Sequence, residues 1–249
     1  MATAVGYALA VLIAACSAQR PANYTLVRSF PHDDQAFTEG LVYAGGRLYE
    51  SVGLYGQSQL RRVDLATGRV LAAVPLAANR FGEGLALLDG KLFQLTWKSG
   101  TGYVYDAGFL TRVDSFRFAG EGWGLTTDGT SLIMTNGSSE LRFIDPRTFA
   151  ITRTLTVTSN SLLVQALNEL EYVRGTLYAN VYQTTSIVRI DPQSGVVLQW
   201  IDLSGLVPKA VRGSNENVLN GIAFDSASGD LLVTGKRWPR LFEIRTKQR

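Results

Sequence analysis

A polar residue, a small residue, an apolar strand, a Gly-containing turn and a second apolar strand recur five times along the chain. The copies open with Glu39-Gly40-Leu41, Glu83-Gly84-Leu85, Trp123-Gly124-Leu125, Asn168-Glu169-Leu170 and Asn220-Gly221-Ile222. Their apolar anchors stand 44, 40, 45 and 52 residues apart, and the second strand starts 7 residues after the anchor in four copies and 9 in the fifth, at Leu48, Leu92, Leu132, Leu177 and Leu231. The intervening turns, among them Asp89-Gly90 and Asp128-Gly129, supply the positive φ that tight hairpins need. In four copies a third and a fourth strand follow, joined by Asp-containing turns such as Asp64-Leu65-Ala66-Thr67-Gly68 and Asp191-Pro192-Gln193-Ser194-Gly195. The fifth copy runs out after Leu241-Phe242-Glu243-Ile244, and the unassigned apolar stretch Tyr24–Phe30 supplies its missing outer edge. A unit of roughly 45 residues matches a four-stranded blade. The pattern therefore predicts an all-β chain: a single five-bladed β-propeller closed by its N-terminal strand, with no long unpaired edge.

Ahead of this repeat, Tyr7–Ala15 is apolar but shorter than the roughly 20 residues a membrane-spanning helix needs. Residues 1–20 read as a signal peptide or lipoprotein signal, and 21–249 as the propeller. Ile13-Ala14-Ala15-Cys16 looks like a bacterial lipobox, which accounts for the position of the only cysteine. The expectation is an exported, periplasmic monomer, lipid-anchored at Cys16 or cleaved nearby.

Composition narrows the chemistry. One cysteine and one histidine, His32, exclude a disulfide scaffold and a Cys/His zinc site. A formal charge of +3 is spread along the chain, so no nucleic-acid partner is expected. His32, in Pro31-His32-Asp33-Asp34, reads as a loop residue.

In a propeller the equivalent positions of all blades surround one axis, so aligning the copies predicts a site. One column reads Glu39, Glu83, Trp123, Asn168, Asn220; a second, five residues after the leucine of the second strand, reads Gly53, Trp97, Gly137, Tyr182, Lys236, with Asn136 adjacent. A lone Trp in a β-protein is usually core and a Lys usually solvated. Their alignment on the bore sets Trp97, Trp123 and Lys236 apart. Carboxylates, amides, indoles, a phenol and an amine at one mouth suit a pocket for a small polar ligand. Glu39 and Glu83, if both face it, should raise each other's pKa.

Phe37-Thr38-Glu39-Gly40-Leu41, Phe81-Gly82-Glu83-Gly84-Leu85, Thr96-Trp97-Lys98, Glu121-Gly122-Trp123-Gly124-Leu125, Leu167-Asn168-Glu169-Leu170, Tyr178-Ala179-Asn180-Val181-Tyr182, Asn220-Gly221-Ile222 and Thr234-Gly235-Lys236, taken in order, resemble the plant-type glutaminyl cyclases in a bacterial version. The likeness runs from Tyr24 to Ile244. It implies a five-bladed propeller that cyclises the N-terminal glutamine of peptides or proteins to pyroglutamate with release of ammonia and without a catalytic metal. It further implies Glu83 as general acid/base, Lys236 and Asn168 as its catalytic companions, and Glu39, Trp97, Trp123, Asn136, Tyr182 and Asn220 as substrate-binding residues. Glu39 and Tyr182 depart from the plant pattern, which carries Gln and Trp there.

The residue types suit that reaction. The substrate amine can attack its own side-chain carboxamide, so no enzyme nucleophile and no cofactor is required. Indole walls restrict the substrate, Glu83 shuttles a proton, and Asn168, a Trp N–H or Lys236 can meet the developing oxyanion. Two other classes share the pattern. A metal-dependent, lactonase-like hydrolase would use Glu39, Glu83, Asn168 and Asn220 as oxygen ligands for Ca²⁺, and a peptide-binding propeller would use the aromatics without Glu83. A structural Ca²⁺ in the central channel is left open.

Overall fold

A computed structural model describes residues 23–247; the expected signal segment and Cys16 lie outside them. Five four-stranded antiparallel sheets form the blades. After β1 (Tyr24–Pro31), blade 1 comprises β2 (Thr38–Ala44), β3 (Arg47–Val52), β4 (Gln59–Val63) and β5 (Val70–Pro75). Blade 2 comprises β6 (Gly82–Leu88), β7 (Lys91–Thr96), β8 (Thr101–Asp106) and β9 (Arg112–Arg117), and blade 3 β10 (Leu125–Thr127), β11 (Leu132–Met134), β12 (Glu140–Ile144) and β13 (Ile151–Thr156). A small hairpin, β14 (Thr158–Ser159) and β15 (Leu162–Leu163), precedes blade 4, made of β16 (Leu167–Val173), β17 (Thr176–Val181), β18 (Ser186–Ile190) and β19 (Val197–Asp202). Blade 5 holds β20 (Leu219–Asp225), β21 (Asp230–Gly235) and β22 (Arg240–Thr246) and takes β1 as its fourth strand.

β1 pairs antiparallel with β22 from Tyr24↔Thr246 to Pro31↔Arg240. The first strand and the last thereby complete one sheet, and the ring closes as the repeat predicts. The innermost strands neighbour one another round the axis in the order β2, β6, β10, β16, β20 and back to β2.

The anchor residues explain why the blades stack. Leu41, Leu85, Leu125, Leu170 and Ile222 are all buried, and apolar clusters fill the spaces between neighbouring blades, as where Leu167, Leu177 and Val188 pack with Ile133 and Leu141. The small residue ahead of the anchor permits a close approach near the axis. A Cβ on Gly84 would lie 2.4 Å from the Leu125 nitrogen, and one on Gly124 would lie 2.3 Å from the Asn168 carbonyl oxygen. Blade 4 alone carries a side chain in this slot, Glu169. Its carboxyl is fully buried and reaches across the axis, accepting hydrogen bonds from the Leu41 N–H at 3.2 Å and the Ile222 N–H at 2.7 Å. Burial, and then the nearby Glu171, push its pKa well above the carboxylate range against those two donors.

As the sequence predicts, His32 lies in the loop between β1 and β2, and it is buried there. Ring closure brings it between blades: Nδ1 lies 2.6 Å from the Trp238 carbonyl oxygen and Nε2 3.0 Å from Glu50 Oε1. Arg61 bonds the other Glu50 oxygen at 2.5 Å and Asp33 at 2.8 Å.

Candidate functional site

At one end of the axis the inner strands are irregular, and the irregularity falls on the residues that open each repeat. Register shifts occur between Thr38 and Gly40, Gly82 and Leu85, Leu167 and Leu170, and Leu219 and Ile222. An extra residue at such a bulge breaks the in-out alternation and re-aims a side chain. Glu39, Glu83 and Asn168 are turned in this way toward a cavity of about 310 Å³. Its walls also include Phe37, Phe81, Trp97, Trp123, Tyr182 and Lys236.

The rings of blades 1 to 4 and Lys236 of blade 5 form a collar round the cavity. Phe37 meets Phe81 edge-on at 6.2 Å, and Phe81 meets Trp97 at 5.6 Å. Trp123 meets Tyr182 at 5.5 Å. The Lys236 Nζ lies 5.4 Å from the Tyr182 ring centre and 4.6 Å from that of Phe37, closing the circle. Between Trp97 and Trp123 the link is a carboxylate: Glu121 Oε2 accepts both indole N–H groups, at 2.7 and 3.0 Å. Glycines leave room for the rings. A Cβ on Gly137, where φ is +80°, would strike the Trp123 indole at 2.6 Å, and one on Gly53 would strike Phe81 at 2.4 Å.

Two carboxyls sit at the base in different states. Glu39 is held on both oxygens: Lys236 Nζ is 2.8 Å from Oε1, and Asn220 donates to Oε2 at 3.1 Å. Burial pushes it up to about 7, with Lys236 pulling the other way. Glu83 is buried and accepts no hydrogen bond from the described residues. Its pKa is raised well above the carboxylate range by burial first and then by the Glu39 charge, against Lys236, with Glu121 adding to the rise. The two acids do interact as the alignment suggested, but the rise in Glu39 comes from burial.

Seven of the nine aligned candidates, Glu39, Glu83, Trp97, Trp123, Asn168, Tyr182 and Lys236, come together in the cavity wall. Two do not line it. Asn136 caps a turn, its Oδ1 accepting from the Ser138 N–H at 3.2 Å and hydroxyl at 2.6 Å. Asn220 is fully buried behind Glu39 and also donates to the Thr38 carbonyl at 3.0 Å, so it holds an acid in place from outside the cavity. The indole N–H groups are bound to Glu121 and Lys236 to Glu39. That leaves the Asn168 amide, which forms no side-chain hydrogen bond with the described residues, as a free donor on the wall, beside the Tyr182 hydroxyl. Phe37, Phe81, Leu54 and Glu216 complete the lining. The recurrence of Phe two residues before Glu-Gly-Leu in two copies was the signal for the first pair.

Of the four oxygen ligands proposed for Ca²⁺, Glu39 is held by Lys236 and Asn220, while Glu83 and the side-chain oxygens of Asn168 and Asn220 accept no hydrogen bond from the described residues. Among the described residues no group of three or more His, Cys, Asp or Glu side chains is placed to hold a metal ion.

A family model described as glutamine cyclotransferase matches residues 1–246. A glutaminyl-peptide cyclotransferase of Arabidopsis thaliana is 47% identical over 229 residues, covering 90% of this chain and 71% of that protein. The crystal structure of Myxococcus xanthus glutaminyl cyclase superposes with a TM-score of 0.83 at 38% identity, covering 91% of this chain and 98% of that one.

Proposed function

Because this chain belongs to the glutamine cyclotransferase family, we propose that its cavity converts the N-terminal glutamine of peptides and proteins to pyroglutamate. The observation that carries the reading is Glu83: a buried, unbonded carboxyl facing the cavity, with a second acid beside it. A raised pKa makes the Glu83 carboxylate a better base and brings it nearer the substrate amine, whose ordinary pKa is about 7.7–8.0.

The bond that forms joins the α-nitrogen to the side-chain carboxamide carbon, and the bond that breaks releases the carboxamide nitrogen as ammonia. One proton must pass from the first nitrogen to the second. Glu83 takes it as the ring closes and delivers it as the C–N bond breaks, returning to its starting state. Such positioned proton transfer contributes roughly 10²–10⁴ in rate. The aromatic collar holds the flexible glutaminyl side chain folded on itself, which removes the entropic cost of ring closure from the chemical step. Asn168 donates to the carboxamide oxygen as negative charge builds there. Lys236 keeps Glu39 ionised or hydrogen-bonded in place, and Glu39 in turn sets the proton affinity of Glu83. No cofactor enters this sequence of steps.

The test is incubation of a Gln-initiated peptide with the protein, with and without chelator, followed by mass spectrometry for loss of one ammonia. Turnover that survives chelation supports the reading; an unchanged peptide overturns it. For the segment ahead of residue 21, the apolar run Tyr7–Ala15 before Cys16 supports export to the periplasm with cleavage or lipidation there, and the closed ring supports a monomer. The mass of the mature N-terminus and sedimentation of the purified protein test these two points.

A further inference from the structure

Glu121 lies outside the aligned columns and off the cavity wall, in the connection from β9 to β10. One of its oxygens nonetheless receives the N–H of both tryptophans that wall the cavity, Trp97 from blade 2 and Trp123 from blade 3. The backbone of this connection is itself fixed. Gly122 N–H donates to the Trp97 carbonyl at 3.0 Å, and Arg142 donates to the Ala119 carbonyl at 2.9 Å. On the solvent side Lys98 Nζ stands 3.8 Å from the second carboxylate oxygen and 3.9 Å from the Trp97 ring centre.

A surface carboxylate facing a lysine would ordinarily contribute little. Two hydrogen bonds from the reaction chamber's own walls are another matter. An ionised acceptor binds an N–H roughly twice as strongly as a neutral one, and a single oxygen shared by two indoles ties their edges to one point. The gap between blades 2 and 3 is the one place where the collar is not closed by ring contact or by Lys236. We propose that Glu121 is a positioning residue: it fixes the two indoles at the separation the folded glutaminyl side chain requires, and holds their N–H groups away from the substrate. This rests on the cyclotransferase reading above. It adds that the width of the chamber is set by a side chain the substrate does not touch.

Three substitutions separate this role from a structural one. In Glu121→Gln the amide oxygen can still accept both indole N–H groups, but the charge is gone. In Glu121→Asp the charge stays and the carboxylate is withdrawn by one methylene, so it cannot reach both. Glu121→Ala removes both properties. Pyroglutamate formation from a Gln-initiated peptide is measured across pH for each, with near-ultraviolet circular dichroism for the indoles and a melting curve for the fold. Glu121→Asp should lose roughly 10- to 100-fold in kcat/KM, carried mainly in KM, with the acidic limb in place and an altered indole signal. Glu121→Gln should hold KM near the wild-type value while its acidic limb moves to lower pH, because a charge that raises Glu83 has been removed. Glu121→Ala should show both changes. If kcat/KM per folded molecule stays within about twofold of wild type in Glu121→Asp, the positioning role is overturned. A loss in Glu121→Gln as large as that in Glu121→Asp also overturns it, because Gln keeps the reach and the loss then does not follow the position of the acceptor. A wild-type protein that forms no pyroglutamate would instead overturn the cyclotransferase reading itself, leaving the indole signal of Glu121→Asp to report on the clamp.

Discussion

Lys236 Nζ lies 2.8 Å from Glu39 Oε1, while Glu83, in the same cavity wall, accepts no hydrogen bond from the described residues. The single buried amine at the mouth is thus committed to one of two acids. Glu39 is fixed from both sides by Lys236 and Asn220, and Glu83 is left with its proton affinity raised and its oxygens available. Two carboxyls of one column thereby take different roles through their partners rather than through their own chemistry.

Glu39→Gln tests that division. The amide keeps the shape and can still accept from Lys236, but the charge that raises Glu83 is gone and Lys236 remains to lower it. The Glu83 pKa should fall. In kcat/KM the acidic limb should move to lower pH, while the substrate amine, which titrates on the same limb, contributes equally to both proteins. The variant should remain active. A limb that stays put would show that the two acids are not electrostatically linked.

Glu83→Gln should fold like the wild type, since the residue accepts no hydrogen bond that the fold depends on, and should lose about two orders of magnitude or more in kcat. Binding of a Gln-initiated peptide, followed by tryptophan fluorescence, should be retained. Turnover near the wild-type value in this variant would remove Glu83 as the proton carrier.

The ring was legible because its signal is periodic: Leu41, Leu85, Leu125, Leu170 and Ile222 each sit in the same environment, so the same residue type recurs. The mouth was legible for the converse reason, since positions with equivalent geometry held unlike polar residues. What column alignment could not supply was the direction of each side chain. Asn220 shares the column of Glu83, yet its bulge leaves it buried behind Glu39, and Asn136 turns back on its own loop. Contacts made across the columns left no trace in the repeat at all. Glu121 joins two blades from a connection, and His32 is buried only because the two ends of the chain meet. Glu169 was visible as the copy without glycine, but its role as a spoke needed the positions of the Leu41 and Ile222 N–H groups.

That spoke gives a third expectation. Its two oxygens accept from two backbone N–H groups belonging to β2 and β20. In Glu169→Gln the amide nitrogen replaces one acceptor and faces a donor, so one buried N–H loses its partner. The cost should be about 1–3 kcal/mol, measured by denaturant unfolding. Glu169→Gly restores the residue type of the other copies and should cost more, since both donors are then unpaired. A glycine variant as stable as wild type would show that water satisfies these donors and that the spoke is dispensable.

The last expectation concerns pH and the seam of the ring. The neighbours of His32 on both nitrogens are acceptors, the Trp238 carbonyl oxygen and Glu50 Oε1, an arrangement that favours hydrogen on both nitrogens and so the charged ring. Burial acts to lower its pKa, but the Glu50 charge and hydrogen bond together with the Trp238 carbonyl outweigh burial, and the net direction is up from 6.5. Glu50 is held down at about 2 although burial opposes this, because His32 and Arg61 face it. A histidine raised on folding contributes stability that is fully present below its unfolded pKa and is lost as pH rises through the folded one; an acid lowered on folding contributes above its unfolded pKa and is lost as pH falls through its folded one. The seam is therefore most secure between the unfolded values, 4.5 for Glu50 and 6.5 for His32. Glu39 and Glu171, raised to about 7 and about 8, also weaken the fold with rising pH, so the wild-type curve alone cannot isolate His32. The difference between wild type and His32→Asn can, because those acids are common to both. That difference in stability, from denaturant unfolding at about pH 5 through about pH 9, should be largest at the acidic end and shrink as pH rises. A constant difference across the range would mean that the seam histidine is neutral in the folded protein and that its contribution is packing alone.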